Sequence, residues 1–232
     1  MISLDDVRFD FPQTTFSLRI GSLEIAPDEH VAITGPSGCG KTTLLQILSG
    51  ILKPVSGAVR IGDAELTSMS DAERRRFRIT SVGQVFQDFE LLESLRLVEN
   101  ILLPFMINGA LILDGPVRAR ARSLAESVGL GEFLNRPVTK LSQGERQRVA
   151  ICRAVITKPS LILADEPTGN LDSLTKLTIM KLLHDQARAT GASLVVVTHD
   201  HELLSGFDRS LDFVEIASQG KTRKQTGPED AS

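Results

Sequence analysis

The chain has 232 residues, of which 41% are hydrophobic and 24% are charged, and its mean hydropathy is +0.02. A chain of this length can bury a large core in one domain or in two closely packed lobes. Its 26 basic and 29 acidic residues give a net charge of −3, which provides no overall basic field, so we expect no nucleic-acid partner.

The cysteines and the apolar segments bear on the cellular compartment. Cys39 and Cys152 are too few for a disulfide framework, which favours a reducing environment. The first residues lack the basic start and uninterrupted apolar run of a secretory signal. The most apolar stretch, residues 97–113, contains a glutamate, two asparagines, a proline and a glycine, so it does not predict a membrane span. We expect a cytoplasmic protein whose membrane role, if any, depends on a partner chain.

In chain order, short strands come first and strands alternating with helices follow. Four short runs of β-forming residues predict an antiparallel sheet. They lie at residues 2–9, 16–20, 23–26 and 58–61 and are separated by Pro12, Gly21, Pro27 and Gly57. Three other runs are almost wholly apolar, which is typical of strands buried on both faces of a parallel sheet: residues 31–34, 161–164 and 194–198. The fold class is therefore predicted to be α/β.

The remaining segments complete the predicted domain organisation. Residues 91–154 are predicted to be mostly helical, most clearly at 117–128 and 145–156, and to form a helical lobe inserted in the core. We expect one domain over residues 1–217. Residues 218–232 are polar, with glycines and a proline, and are predicted to be a flexible tail.

A glycine-rich run follows the first apolar strand. It reads Gly-Pro-Ser-Gly-Cys-Gly-Lys-Thr and matches G-x-x-x-x-G-K-[ST], the phosphate-binding loop. Its glycines allow backbone N–H groups to turn inward, and the helix that follows presents its positive end to an anion. The pattern favours a nucleoside triphosphate site over a plain glycine turn. The predicted contacts are Gly35, Pro36, Ser37, Gly38, Cys39, Gly40, Lys41, Thr42 and Thr43.

Within this loop two side chains have distinct expected roles. Lys41 supplies a positive charge for the phosphates, and Thr42 offers a hydroxyl to the Mg²⁺ that accompanies a nucleoside triphosphate. A pair of acids, Asp165 and Glu166, comes directly after a second apolar strand. We expect Asp165 to hold the metal and Glu166 to act as general base on the attacking water. Taken alone, such a pair is also typical of a solvated turn.

Several further motifs carry a family resemblance. Residues 141–145 read Leu-Ser-Gln-Gly-Glu, residues 85–87 read Val-Phe-Gln, residues 164–172 read Ala-Asp-Glu-Pro-Thr-Gly-Asn-Leu-Asp, and residues 197–200 read Val-Thr-His-Asp. With the phosphate loop, and in this order, they resemble ATP-binding cassette proteins from residue 2 to about residue 200. The usual signature loop is Leu-Ser-Gly-Gly-Gln, so Gln143 and Glu145 are departures, whereas Ser142 and Gly144 are retained.

The resemblance implies a fold and a shared site. The fold is a P-loop NTPase with a RecA-like parallel sheet, an antiparallel β subdomain and an inserted α-helical subdomain. Two protomers, identical or similar, close over ATP and Mg²⁺, and the signature loop of one contacts the nucleotide of the other. The residues expected to act in trans are Ser142, Gln143, Gly144, Glu145 and Asp172. Read from the residues alone, Ser142 before Gly-Glu is also an ordinary helix start.

The resemblance also assigns roles to other residues. Gln87 would touch the metal or the lytic water, which gives Thr42, Gln87 and Asp165 as the magnesium set. His199 would bond the γ-phosphate and orient Glu166. Without the resemblance, the alternative interpretation of Gln87 is a polar residue at the end of a strand, and that of His199 is a structural cap.

Adenine recognition calls for an aromatic face, since stacking holds any base. The chain has no tyrosine or tryptophan, and Phe11 is in register with the aromatic residue of the family. We expect Phe11 to stack on adenine and Phe9 to lie in the core. A core position for Phe11 is the alternative.

Partner contacts are expected on two surfaces. Arginines 74–76 and 78, and arginines 118, 120 and 122, predict either solvated helix faces or contacts with a membrane or a partner subunit. Residues 98–104 correspond to the region where the family receives a helix of its membrane permease, although core packing is an alternative.

The resemblance is strongest to the lipoprotein-releasing, macrolide-export and cell-division subgroup. It implies an ATPase subunit that powers export or membrane extraction from the cytoplasmic face of the membrane. The alternative is a cassette that moves a cell-division or cell-envelope complex without transport.

Overall fold

The computed structural model of the protein describes residues 1–11, 16–169 and 171–222, the last five of these by backbone alone. Its strands are β1 (Ile2–Asp10), β2 (Ser17–Ile25), β3 (His30–Thr34), β4 (Ser56–Ile61), β5 (Ala64–Glu65), β6 (Val82–Val85), β7 (Leu161–Asp165), β8 (Ser193–Val197) and β9 (Arg209–Asp212). Its α-helices are α1 (Lys41–Leu48), α2 (Asp71–Ser81), α3 (Leu97–Ile107), α4 (Gly115–Ser127), α5 (Gln143–Val155), α6 (Ser173–Thr190) and α7 (Phe213–Thr222). Short 3-10 helices lie at Gly131–Phe133, Val138–Lys140 and His201–Gly206.

The first sheet is antiparallel, with strand order β2-β1-β4-β5. The break predicted at Gly21 was wrong, because β2 runs unbroken through it and pairs with β1 on both sides, from Ile2 opposite Ile25 to Asp10 opposite Ser17. The register is the same before and after this point, so Gly21 does not end the strand. The irregularity of β1 lies against β4, where the register shifts between Asp5 and Arg8 and Asp6 has φ 47°.

The second sheet is parallel, with strand order β6-β7-β8-β3-β9. Strands β3, β7 and β8 are buried almost throughout, as their apolar sequences predict. Strands β6 and β9 were not predicted, because β6 contains Gly83 and Gln84 and β9 is short and mostly exposed. Ile33 and Asp165 both lie opposite Val197, so the carboxyl ends of the three central strands meet at one edge.

Helices α3, α4 and α5 share an apolar cluster that includes Leu97, Ile101, Ala121 and Val149. This cluster lies within the stretch predicted to be helical. Helix α5 also packs on the parallel sheet, where Ile151 and Val155 join a second cluster with β7, β8 and α6. One helix therefore belongs to the helical segment and to the sheet core at once.

A third cluster fills the space between the two sheets, around helix α1, and it includes Leu4, Ile33, Leu44 and Phe213. The α/β fold with a parallel core sheet, an antiparallel sheet and added helices is confirmed. Helix α7 continues past residue 218, where the polar tail was predicted to begin, and residues 223–232 lie outside the described part. In the described part, no helix has both the length and the apolar character required to cross a bilayer.

The arginines of α2 do not share one environment. Arg74 is only 8% exposed and donates to the backbone carbonyls of Gly50 and Met69, so it holds a loop and does not face solvent. Arg75 is exposed, as expected for a solvated helix face. Arg118 and Arg122 of the second cluster are also exposed.

Gly83→Ala is predicted to destabilise the protein. A Cβ on Gly83 would lie 2.4 Å from the Ala154 carbonyl oxygen, so α5 would have to move off β6. Overpacking of this kind costs about 1–3 kcal/mol, measurable as a lower denaturant midpoint. Gly109→Ala is the control, since a Cβ there meets nothing within 4 Å. Equal stability of the two variants would contradict the close contact.

Candidate active site

The phosphate-loop sequence forms an open cradle between β3 and α1. Gly35, Gly38 and Gly40 have φ of 147°, 75° and 116°, which non-glycine residues rarely adopt. A Cβ on Gly40 would lie 3.0 Å from the Phe16 ring, and one on Gly35 would lie 3.2 Å from Phe213 Cβ. The loop therefore needs glycine both for its backbone angles and for its close packing.

Lys41, the first residue of α1, folds its side chain back across this loop. Its Nζ donates to the carbonyl oxygens of Gly35 and Pro36 at 2.8 Å each and lies 4.0 Å from Cys39 Sγ. The residue is only 8% exposed. The ammonium group is thus held at the centre of the cradle, where a phosphate oxygen would meet it.

Thr42 and Asp165 come from different elements and form one polar pair. The Thr42 hydroxyl donates to Asp165 Oδ2 at 2.8 Å. Burial raises the pKa of the Asp165 carboxyl above its ordinary value, and the adjacent Glu166 charge adds to the rise, whereas the Thr42 hydrogen bond and the Lys41 charge oppose it. A cation beside this carboxylate would offset its desolvation.

The chemistry of this pair fits Mg²⁺. No group of three or more His, Cys, Asp or Glu side chains is placed to hold a metal among the described residues. Mg²⁺ does not need such a group, because it is commonly held by one or two protein oxygens, substrate phosphates and water. The Thr42 hydroxyl and the Asp165 carboxylate are two oxygen groups, 2.8 Å apart, of the kind that such a site would require.

Glu166 and His199 form the second polar pair. Glu166 follows β7 and His199 follows β8, and His199 Nδ1 lies 2.8 Å from Glu166 Oε1. The Glu166 side chain is 16% exposed and that of His199 is 69% exposed. Glu166 has φ 45°, a left-handed conformation that is costly for a residue with a Cβ. Backbone hydrogen bonds from Glu166 to Val197 and from Gly169 to Glu166 hold this turn.

Gln87 follows β6 and reaches the loop after Glu166. Its Nε2 lies 3.5 Å from the position that a Cβ on Gly169 would take. The structure thus brings the amide of Gln87, the carboxylates of Asp165 and Glu166, and the imidazole of His199 to the same edge of the sheet.

These groups share one cavity of about 850 Å³, which lies in the range of small-molecule sites. It is lined by Phe11, Phe16, Gly35, Ser37, Gly38, Gly40, Lys41, Thr42, Thr43, Gln87, Asp165, Glu166, Val197 and His199. Pro36 and Cys39 belong to the loop without lining the cavity.

Two phenylalanines form the aromatic wall of this cavity. Phe11 lines it and also packs against the core, with its ring centroid 4.8 Å from that of Phe9, which is buried. Phe16 was missed, because it was predicted only as the first residue of a strand. Phe16 comes next to Phe11 only through folding, where the Phe11 N–H donates to the Phe16 carbonyl oxygen and the two ring centroids lie 5.8 Å apart.

The signature-like residues lie outside this cavity. Ser142 caps α5: its hydroxyl accepts from the Glu145 N–H at 3.3 Å, and Glu145 Oε2 accepts from the Ser142 N–H at 2.7 Å. That backbone hydrogen bond lowers the pKa of Glu145 below its ordinary value. Glu145 therefore completes a capping box, a role that the usual glutamine can also fill.

Gln143, Gly144, Asp172 and Thr175 lie beside this cap. They line a separate cavity of about 320 Å³ together with Ser142, Arg148 and Leu171. Asp172 caps α6 by accepting from the Thr175 N–H at 3.0 Å. A Cβ on Gly144 would lie 3.1 Å from Thr175 Cγ2, so the starts of α5 and α6 are in close contact.

Comparison with known proteins identifies relatives of both sequence and structure. The profile of the ABC transporter family matches residues 18–169, more than half of the chain. The lipoprotein-releasing system ATP-binding protein LolD of Xanthomonas campestris pv. campestris is 42% identical over 202 residues, covering 87% of this chain and 82% of that protein. LolD 1 of Rhodopirellula baltica is 42% identical over 200 residues, 86% of each chain.

Among solved structures, the dimeric post-hydrolysis state of the ATP-binding cassette MJ0796 bound to ADP and Pi has a TM-score of 0.81 and 35% identity, covering 91% of this chain and 94% of that one. The structure of cbiO1 from Clostridium perfringens, part of the ABC transporter complex cbiONQ, also has a TM-score of 0.81, at 26% identity, covering 91% of this chain and 83% of that one. The chain therefore belongs to the ABC transporter family and is an ATP-binding, ATP-hydrolysing subunit of that family.

Proposed function

We propose that this subunit hydrolyses ATP to drive a separate integral membrane protein that extracts lipoproteins, or similarly lipid-anchored substrates, from the membrane. The observation that carries the ATP chemistry is the convergence of Lys41, the Thr42–Asp165 pair and the His199–Glu166 pair on one cavity. The substrate class is supported by 42% identity to LolD of Xanthomonas campestris pv. campestris. The proposed location is the cytoplasmic face of the membrane, reached through the partner.

In the proposed reaction each group has one task. Lys41 and the loop N–H groups bind the β- and γ-phosphates, and Phe11 with Phe16 holds the adenine. Thr42, Asp165 and Gln87 would hold Mg²⁺, which would supply charge neutralisation on the phosphate oxygens. Glu166 takes the proton of the attacking water, and His199 holds the Glu166 carboxylate in place through its Nδ1 contact and faces the γ-phosphate.

We further propose that the site is completed by a second cassette. Ser142, Gln143, Gly144 and Glu145, at the N-terminal end of α5, and Asp172 lie outside the cavity of their own chain. The N–H groups at this helix start suit a phosphate of the partner's nucleotide. The dimeric structures of MJ0796 support a two-chain assembly. The partner is a second copy or a similar cassette.

The proposed contact with the membrane protein is a groove next to the Gln87 segment. It has a volume of about 430 Å³ and combines the apolar Leu103, Pro104 and Ile107 with the basic Arg75 and Arg78. Phe86 and Glu90, on either side of Gln87, also line it. An amphipathic helix of the partner would place its apolar face here, which is a common mode of helix recognition. Movement of that helix would act on Phe86, the residue next to Gln87.

Glu166→Gln should lower kcat by about 10²-fold or more, since removing a positioned base costs about 10²–10⁴ in rate. ATP binding should persist, and the ATP-loaded variant should elute as a dimer in size-exclusion chromatography. Glu132→Gln, at an exposed glutamate far from the cavity, is the control and should leave kcat unchanged. Rapid hydrolysis by Glu166→Gln would refute the assignment of the base.

Ser142→Arg and Lys41→Ala should each abolish hydrolysis, and a mixture of the two proteins should recover activity. In a mixed dimer, the intact loop of the Ser142→Arg chain meets the intact helix start of the Lys41→Ala chain, so one complete site exists. Cross-linking with two affinity tags shows whether mixed dimers form. Mixed dimers without activity would contradict a shared site.

Ile107→Glu should uncouple the subunit from its membrane protein. Ile107 is 67% exposed in the groove, so a charge there should spare the fold and the basal ATPase rate while abolishing stimulation by the membrane protein and lipoprotein release from proteoliposomes. The control is Ile112→Glu, which is 77% exposed and outside the groove. Full lipoprotein release by Ile107→Glu would exclude this contact. Stimulation without any release would favour a force-transmitting complex that does not transport.

A further inference from the structure

Gln147 on helix α5 makes a buried contact that none of the proposed roles uses. Its side chain is fully buried, at 0% exposure, and its Nε2 donates to the Pro167 carbonyl oxygen at 2.7 Å. Pro167 directly follows Glu166. The hydrogen bond therefore joins α5 to the residue after the proposed general base.

The other polar atom of the Gln147 side chain, its Oε1, indicates that the residue does more than fill space in the core. Its Oε1 is buried and has no hydrogen-bond partner among the described residues. A buried acceptor without a partner is costly, and an apolar side chain of similar shape would avoid that cost. The presence of an amide here points to the hydrogen bond to Pro167 as its purpose.

The loop that receives this hydrogen bond needs external restraint. Glu166 has φ 45°, a conformation that persists only where the surroundings impose it. Around it, the Gly169 N–H bonds the Glu166 carbonyl at 3.1 Å, and Thr168 is 2% exposed. Gln147 adds a restraint from outside the loop, at Pro167, the residue after the strained Glu166.

Helix α5 also provides a second restraint of the same kind further along. Arg153 donates from its guanidinium to the backbone carbonyls of Phe89 and Glu90, which follow Gln87 and have φ of 62° and 48°. Two strained loops that approach the cavity are therefore both held by buried side chains of one helix. The first residues of that helix are the ones proposed to meet the partner's nucleotide.

We propose that Gln147 is a positioning residue for Glu166: through Pro167 it connects the hydrolytic carboxylate to α5, the helix that Ser142 caps. This proposal rests on the role of Glu166 given above. It follows that the amide should affect the rate of hydrolysis and not the binding of ATP, because it contacts neither the phosphate loop nor the aromatic wall.

Gln147→Met tests this inference, because methionine has nearly the same shape and cannot donate to Pro167. We expect kcat to fall at least tenfold while the Kd for ATP, measured by equilibrium binding, stays within twofold. Ile151→Val is the matched control: Ile151 is also 0% exposed, one turn further along α5, and its truncation loosens the helix without touching the loop. It should retain kcat. A kcat of Gln147→Met within twofold of the unmodified protein overturns the proposal, as does an equal loss in both variants.

Mixed dimers show in which chain of the dimer Gln147 acts on hydrolysis. With Ser142→Arg and Lys41→Ala chains, hydrolysis uses Glu166 of the Ser142→Arg chain and the α5 start of the other. Gln147→Met should reduce the activity when it is added to the Ser142→Arg chain and have little effect in the Lys41→Ala chain. The reverse pattern, or equal loss in both, assigns Gln147 to the shape of α5 alone and overturns the positioning role.

The two proposals fail in distinguishable ways. Absence of activity in the parent mixture would contradict the shared site, whereas the measurements of kcat and Kd on the single variant do not depend on that sharing. Normal recovery in the parent mixture with no effect of Gln147→Met in either chain would overturn only the present inference.

Discussion

The structure depends on the parallel pairing of β3, β7 and β8. Their in-register alignment places Ile33 and Asp165 opposite the same residue, Val197. Asp165 ends β7, and the phosphate loop, Glu166 and His199 come shortly after the ends of β3, β7 and β8, so groups that are distant in sequence meet within hydrogen-bonding distance. The strands themselves are held by burial on both faces, which fixes their ends more firmly than the loops they carry. The pairing of the strands in the sheet thus sets the positions of the site residues.

Helix α5 is the second constraint, since it is the element that the helical segment and the sheet core have in common. A Cβ on Gly83 of β6 would lie 2.4 Å from the Ala154 carbonyl oxygen of α5, and a Cβ on Gly144 of α5 would lie 3.1 Å from Thr175 Cγ2 of α6. The helix is thus packed closely against two other elements. The side chains of Gln147 and Arg153 connect it by hydrogen bonds to the loops that follow Glu166 and Gln87.

Much of this arrangement was predictable from sequence, and the exceptions share a cause. The phosphate loop and the apolar strands were predictable because their signals are local: glycine spacing and uninterrupted burial. The strand break predicted at Gly21 was wrong because β2 keeps its pairing register with β1 on both sides of that residue, and pairing between strands is not a local signal. Phe16 and Gln147 were missed because their importance comes from a partner that is close only after folding, across a hairpin or between a helix and a distant loop. The departure at Glu145 has a local explanation, the helix cap, which the sequence pattern does contain.

Lys41 links the two ends of the phosphate loop. Its ammonium group donates to the carbonyl oxygens of Gly35 and Pro36, so the loop is held together by hydrogen bonds within the chain. An arriving anion exchanges one set of hydrogen bonds for another instead of ordering a slack segment, so the entropic penalty of capture is small.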